Sequence, residues 1–242
     1  MHDALPWLLV CLSAVAFLYS SVGHAGASGY IAVMTLFGLS LEVVRPTALT
    51  LNILVATVTS YQFARAGHLR FALFWPFAVL SVPLAFVGGY ISLPTAVLKR
   101  LVGAVLLFSA ARLLLRPPPE GEVREPPRGV AIAMGGGLGL LSGLTGTGGG
   151  IFLTPLLLLL GWARAKQASA VSALFILVNS IAGLLGNLGK AKGLPSDVPW
   201  FALAALSGGL LGSYLGAARL SPAAIKRLLA LVLVIAGAKL ML

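Results

Sequence analysis

The sequence predicts an all-α polytopic membrane protein built from two inverted five-segment repeats, each with a glycine-broken, half-length second segment. Three observations lead to this fold class: an apolar composition, an internal duplication, and glycine clusters at matching positions of the two copies. Apolar residues make up 59% of the 242 residues and charged residues only 10%, whereas soluble domains are about one quarter charged. At about 20 residues per helix, the chain has room for about eight to ten spans.

The apolar runs are long and lack the alternation of a β-barrel, which favours membrane-spanning helices. The first run, residues 4–22, is preceded by His2 and Asp3 and not by the basic region of a signal peptide. We therefore expect a retained helix there. The single cysteine, Cys11, is expected to be a small apolar residue of that helix.

The duplication is visible in two alignments of the chain with itself. Residues 93–115 match residues 220–242 at a spacing of 127, including an alanine, a Lys-Arg pair and the leucine that follows it. The stretch HAGASG from His24 lies over GTGGGI from Gly146 at a spacing of 122. A longer loop in the second copy, KAKGLPSD from Lys190, accounts for the difference of five.

These matches predict a first transmembrane repeat over residues 1–115, a second over residues 129–242, and a polar, proline-rich linker over residues 116–128. Each repeat holds five apolar segments. The predicted segments are residues 4–22, 30–41, 46–63, 71–91 and 95–115, and then 129–144, 151–161, 167–188, 198–218 and 222–242. The second segment of each repeat has only 12 or 11 residues, which as a helix is about half of the hydrocarbon thickness.

Five reversals of direction per repeat would place the second repeat upside down relative to the first. On that topology eleven basic residues lie on the side of the linker and six on the other side. Joining the first two segments of each repeat into one crossing gives nine and eight instead. The positive-inside rule therefore favours the inverted arrangement, with the linker in the cytoplasm and both termini outside.

The glycine breaks predict a binding site. Residues 20–29 (SSVGHAGASG) and residues 145–150 (TGTGGG) each end where a half-length helix begins. The first turn of a helix has free N–H groups and a partial positive charge, which attract anions. Non-helical backbone at membrane depth is tolerated where protein or a water-filled cavity satisfies it. We therefore expect the two breaks to meet near the midplane, around one anion.

Other glycines are expected to allow close packing between helices, as small residues do in membranes. These glycines lie on the sixth and ninth segments. They are Gly135, Gly137, Gly139, Gly208, Gly209, Gly212 and Gly216.

All six acidic residues lie at a terminus, in loops or in the linker, so no apolar segment carries an interior carboxylate. Cation sites and proton relays usually depend on such carboxylates, so a cation substrate is disfavoured. The histidines and the cysteine have no metal-ligand spacing, no Ser-His-Asp set can form, and no P-loop is present. We therefore expect no enzyme activity, no cofactor and no metal, and the basic excess has no soluble face that would bind nucleic acid.

Polar side chains in and beside the breaks are the candidate donors to an anion. His24 lies inside the first break, and Thr50 and Ser172 occupy equivalent positions of the two repeats. Hydroxyl groups in membrane helices also commonly bond to their own backbone, so both roles remain open. The candidate substrate-binding residues are Ser21, His24, Ala27, Ser28, Gly29, Thr50, Asn52, Thr145, Thr147, Gly148, Gly149, Gly150, Ser172 and Asn179. Arg45 and Lys166 precede two of the helices, and helix-end anchoring is favoured for them over a role in guiding the anion.

The stretch GGLGLLSGLTGTGGGIFLTPLLLLLGW at residues 136–162, followed by QASAVSALFI from Gln167, resembles the TauE/SafE family of sulfite-exporter-like and toluene-sulfonate-uptake permeases. With the duplicated layout, the resemblance covers nearly the whole chain. The first repeat departs from it, with HAGASG at His24 where the family more often has consecutive glycines. The resemblance implies movement of a small sulfur-containing or organic anion, such as sulfite, a sulfonate or thiosulfate. As site residues, the resemblance implies only the glycine-rich break at residues 146–150 and the equivalent break of the first repeat, which begins at His24.

The resulting hypothesis is a secondary transporter of the cytoplasmic membrane that moves such an anion by alternating access between the repeats. Its expected partners are the anion, the lipid bilayer and a coupling ion, proton or sodium. Oligomeric state and transport direction stay open. An anion channel and a membrane-anchoring subunit of a larger complex are the alternatives.

Overall fold

The computed structural model describes residues 4–91, 96–115, 123–187 and 194–241. In these ranges the chain forms helices and no strand. The helices are α1 Leu5–Ser20, α2 Ala27–Leu36, α3 Leu41–Arg65, α4 Phe71–Tyr90, α5 Ala96–Leu115, α6 Arg128–Thr145, α7 Gly150–Leu159, α8 Ala165–Asn187, α9 Val198–Tyr214 and α10 Pro222–Met241, with a π-helical turn, Leu215–Arg219, after α9.

Four helices of the described ranges are long and apolar enough to cross a membrane, judged by length and composition. They are α3, α4, α8 and α9 together with its π-helical turn. This agrees with the all-α membrane class that the composition predicts. The first apolar run forms α1, whose Leu8, Leu12 and Ala16 are buried in the core.

The second helix of each repeat is short, as predicted. Helices α2 and α7 have 10 residues each, which corresponds to about 15 Å of length. Helix α2 begins at Ala27 and not at residue 30, because Gly26 takes a φ of 101° and ends the irregular backbone there. Gly149, with a φ of 79°, does the same before α7. A φ in this left-handed region is open mainly to glycine.

Several other boundaries differ from the predicted ones. Helix α3 begins at Leu41, so Pro46, expected at its start, lies inside the helix. Helix α6 includes Arg128, which the sequence places in the linker. Linker residues 116–122, Thr95, Leu188 and Leu242 lie outside the described residues.

Glycines bring α4 and α6 into backbone contact. A Cβ atom on Gly135, Gly139 or Gly143 would collide with the carbonyl oxygen of Phe77, Ser81 or Ala85, respectively. Such close approach requires residues without a side chain. The packing role predicted for Gly135 and Gly139 is thereby confirmed.

The duplication relates this pair to α1 and α9, which also approach each other through a row of glycines. Gly208, Gly212 and Gly216 lie against the backbone of Ser13, Phe17 and Ser21, in that order. Their predicted packing role is confirmed as well.

Gly209 packs against Val55 of α3, which also fits the prediction, but Gly137 does not. A Cβ on Gly137 would meet nothing within 4 Å, so the packing role predicted for this residue is wrong. The reason is helical geometry: residue 137 lies on a different face of α6 from residues 135 and 139.

The helix contacts cross from one repeat to the other. Helix α1 packs on α9 and α4 packs on both α6 and α8, while α3 packs on α8 and α9 and α5 packs on α10. The short helices α2 and α7 lie on α3 and α8 of their own repeats. Each of these contacts has its counterpart under the duplication, and the two large hydrophobic clusters each contain residues of both halves.

Candidate functional site

The two glycine breaks are irregular backbone stretches between helices of the described residues. The first joins α1 to α2, with Gly23 and Gly26 at positive φ. The second joins α6 to α7, with Gly146, Gly148 and Gly149 at positive φ. Three positive φ values in four residues explain why this stretch, unlike the glycine-rich middle of α6, leaves the helix.

One buried side chain joins the two breaks. The Oδ1 of Asn52 accepts the backbone N–H of Ala27 at 3.0 Å, at the start of α2. Its Nδ2 donates to the Oγ of Ser180 at 3.0 Å and to the carbonyl oxygen of Thr147 at 3.4 Å, in the second break. Asn52 is fully buried. The breaks therefore lie on opposite sides of a single amide group, as the sequence analysis expects.

Two further contacts tie the first break to the second repeat. His24 Nε2 and the hydroxyl of Thr154, on α7, are 2.8 Å apart. The hydroxyl of Ser169, at the start of α8, donates to the carbonyl oxygen of Val22 at 2.8 Å. The first break is thus held mainly by the other half of the molecule.

The start of α7 keeps its N–H groups unpaired. Gly146 N–H donates to Ser142 O, and the next backbone donor with an acceptor in the described residues is Phe152, which bonds to Gly149 O. The N–H groups of residues 147–151 have no acceptor there. Two hydroxyl groups beside them, Ser142 Oγ and Ser172 Oγ, are also buried without a partner in the described residues. This is a cluster of donors without acceptors.

Arg45 brings a positive charge to the second break. Its Nη2 donates to the carbonyl oxygens of Gly143 and Leu144, the latter at 2.9 Å, at the end of α6. Its Nε lies 3.4 Å from the position that a Cβ on Gly146 would take, and has no partner in the described residues. Lys166 Nζ similarly donates to Ala217 O at 3.0 Å, in the π-helical turn after α9. Both cations anchor helix ends, the role that the sequence favoured.

Several predicted hydroxyl donors bond to their own helices. Ser21 donates to Leu18 O at 2.7 Å, Thr50 to Pro46 O at 2.9 Å, and Thr145 to Leu141 O at 2.7 Å. Thr147 differs, because its hydroxyl lies 2.9 Å from that of Thr145 at the second break. The bonds of Ser21, Thr50 and Thr145 to the preceding helical turn are common for hydroxyl groups in membrane helices.

The other predicted residues face neighbouring helices. Ser28 Oγ lies 3.0 Å from the hydroxyl of Tyr19, and Ser28 O accepts Lys239 Nζ at 2.8 Å. Gly29 lies against Val15 of α1. Asn179 accepts the hydroxyl of Ser81 at 2.6 Å and donates to Phe175 O at 2.8 Å.

The structure adds four residues that the sequence analysis left out of the site. Ser142, Thr154 and Ser180 are polar residues in apolar helices, and Ser142 and Ser180 stand near the predicted Thr145 and Asn179, respectively. The ring of Tyr30, fully buried, lies 2.9 Å from the position that a Cβ on Gly26 would take. Thr154 and Ser180 face His24 and Asn52, which are distant in sequence, so spacing alone does not reveal them.

These features define a class: a multi-pass helical membrane protein with two broken helices that meet in its interior, an arrangement typical of secondary transporters. The model of the family described as "Sulfite exporter TauE/SafE" matches residues 8–240. The "Probable membrane transporter protein y4hK" of Sinorhizobium fredii (strain NBRC 101917 / NGR234) is 35% identical over 239 residues, covering 97% of each chain. No solved structure matches significantly. The chain belongs to the TauE/SafE family of membrane transporters.

Proposed function

We propose that this protein is a secondary transporter of the cytoplasmic membrane that moves a small sulfur-containing or organic anion by alternating access. The family description names a sulfite exporter, and we extend the proposed class to sulfonates and thiosulfate, which also carry a sulfur-bound oxyanion group. The two repeats are inverted relative to each other, and the anion binds where their glycine breaks meet. Rocking of one repeat against the other exposes this position to either side of the membrane in turn.

The direction of α3 and α8 supports the inverted arrangement. Asn52, in the middle of α3, bonds to Ser180 in the second half of α8. Phe63, near the end of α3, shares a hydrophobic cluster with Ala170 near the start of α8. These equivalent helices of the two repeats therefore run in opposite directions where they meet, as inversion requires.

The observation that carries the proposal of an anion is the donor cluster at the start of α7. The N–H groups of residues 147–151 are unpaired in the described residues, and the guanidinium group of Arg45 lies at Gly146, just before them. A buried donor without an acceptor is costly, and an anion supplies the acceptor and gains from the helix dipole. Of the acidic residues that the structure describes, Glu42 lies in the first turn of α3, and Glu125 and Asp197 lie outside the helices, so none stands in the middle of an apolar helix.

Flux into proteoliposomes tests the proposal against the channel alternative. Purified protein is reconstituted, and uptake of radiolabelled sulfite is measured with and without unlabelled sulfite inside the vesicles. A carrier saturates with concentration and is accelerated by substrate on the opposite side. Linear flux without such acceleration would identify a channel, and a dependence on an imposed proton or sodium gradient would identify the coupling ion.

A thermal-shift screen tests the substrate class. Because a ligand that binds the folded state raises its apparent stability by mass action, we expect sulfite, thiosulfate or ethanesulfonate to raise the melting temperature and ammonium to leave it unchanged. A shift with amines or metal cations alone would refute the proposed class. If this chain only anchors a partner, Gly149→Ile would impair assembly and leave no transport defect to detect.

A further inference from the structure

The starts of α2 and α7 occupy equivalent positions in the two repeats, but the polar groups around their first-turn N–H groups differ. At α2, the first-turn N–H of Ala27 already has an acceptor, the Oδ1 of Asn52. The N–H groups of residues 25, 26, 28 and 29 have no acceptor in the described residues. At α7 all the N–H groups of residues 147–151 are in that state, and no side chain takes the place of Asn52. The side-chain oxygen of Asn52 thus occupies at α2 the kind of position that an oxyanion would take at α7.

The hydroxyl groups next to the two starts differ in the same way. Ser142, which precedes the second break, and Ser20 are equivalent at the spacing of 122. Ser20 Oγ donates to Phe17 O at 3.4 Å, whereas Ser142 Oγ is buried without a partner in the described residues. The Ser142 side chain lies beside the second break: its Cβ and Oγ are 3.1 and 3.4 Å from the position that a Cβ on Gly149 would take.

A second equivalent pair repeats the difference. Thr50 bonds to Pro46 O of its own helix, whereas the equivalent Ser172, fully buried, has an unpaired hydroxyl. The carbonyl group of Ser172 lies 3.2 Å from the Cβ position of Gly150, so this residue flanks the first turn of α7.

We propose that the substrate's oxyanion group binds asymmetrically, at the start of α7, where the N–H groups of residues 148–151 and the hydroxyl of Ser142 donate to it. At the start of α2, Asn52 accepts one N–H group, that of Ala27, and so positions the two breaks relative to each other. Ser142 and Ser172 are then specificity-determining residues for a compact anionic head group. This inference rests on the proposed function and narrows its binding site to one of two equivalent helix starts.

The duplication provides the matched control. Ser142→Ala removes the proposed donor, and Ser20→Ala removes the equivalent hydroxyl of the first repeat. Binding of sulfite is measured by thermal shift and uptake by proteoliposome flux, for both variants and the wild type. Neither variant changes the backbone, and the unliganded melting temperature of Ser142→Ala should not fall, because its hydroxyl has no partner to lose.

We expect Ser142→Ala to raise the KM for sulfite about 10-fold or more, the effect of losing a hydrogen bond to a charged group. Ser20→Ala should change KM less than about twofold, and Ser142→Ala combined with Ser172→Ala should weaken binding further. Equal effects of Ser142→Ala and Ser20→Ala, or an effect of Ser20→Ala alone, would overturn the asymmetric site. If the wild type neither binds nor transports any of the anions, the proposed function itself fails, and this inference fails with it.

Discussion

Asn52 is the residue that connects the two halves of the site. Its amide accepts from the start of α2 and donates to the second break and to α8. An amide suits this position because it offers acceptor and donor groups together, without a charge that would be costly to bury. A leucine of similar size would fill the space but satisfy none of the three partners.

Asn52→Leu should therefore destabilise the protein by about 1–3 kcal/mol, because buried polar partners are left unpaired. It should also impair sulfite uptake, since the two breaks lose their common link. Thr57→Val, on the same helix, is the control: Thr57 is exposed and its hydroxyl bonds only to Ile53 O in the described residues. Thermal melting in detergent measures stability. Equal melting temperatures for the two variants would contradict the connecting role of Asn52.

Substitution of Gly149 tests whether the second break needs a residue without a side chain. Gly149→Ala places a Cβ at a φ of 79°, about 1–2 kcal/mol unfavourable for other residues, and brings it 2.9 Å from Phe175 and 3.1 Å from Ser142. Gly161→Ala carries the same backbone cost at a φ of 67°, but its Cβ meets nothing within 4 Å. We expect a larger loss of stability and of sulfite binding for Gly149→Ala. The contact explanation is wrong if both variants behave alike in melting and binding assays.

At the level of elements, glycine rows decide which helices touch. The contacts of α6 with α4 follow residues 135, 139 and 143, one residue per turn, and those of α9 with α1 follow residues 208, 212 and 216. This spacing keeps each row on one face of its helix. Apolar helices gain little from the hydrophobic effect inside a bilayer, so close backbone packing supplies much of their association.

Gly139→Ala should separate α4 and α6, because its Cβ would collide with the backbone of Ser81. We expect a loss of about 1–3 kcal/mol, typical of overpacking. Gly137→Ala, two residues away with open space around it, should stabilise α6 by about 0.5–1 kcal/mol through helix propensity. Opposite shifts in melting temperature are the expected result. A loss of stability in Gly137→Ala would show that the helix faces are assigned wrongly.

At the level of the whole molecule, the two repeats interlock, since α1 packs on α9 and α4 on α6 and α8. Rocking of one repeat against the other must therefore rearrange these contacts. The contact of His24 with Thr154, which joins the first glycine break to α7, is one of them.

Labelling of introduced cysteines tests the proposed inversion. Ser40, before α3, and Arg164, before α8, are exposed residues in equivalent turns of the two repeats. In a Cys11→Ser background, a membrane-impermeant maleimide applied to intact cells should label Ser40→Cys, whereas Arg164→Cys should react only after permeabilisation. Labelling of both from the same side would refute the inverted topology.

The sequence by itself determined the helical membrane class, the duplication, the short second helices and the position of the glycine breaks. These properties depend on local composition and on spacing along the chain, which a single sequence displays directly. The packing role of most glycines followed from the same spacing. Gly137 was the exception, because a residue's spacing does not report which helix lies opposite it.

Only the tertiary structure decided which polar groups are paired. In the structure Asn52 has three hydrogen-bond partners, and Arg45 lies next to the second break. The hydroxyl of Ser142 has no partner in the described residues, whereas that of Ser20 donates to Phe17 O. The physical reason is that, apart from the N–H of Ala27, the partners of Asn52 and Arg45 come from the other half of the chain, about 95–130 residues away in sequence. Repeat-equivalent residues can have the same local sequence pattern and still face different neighbours, and the neighbours determine whether a donor remains available to an anion.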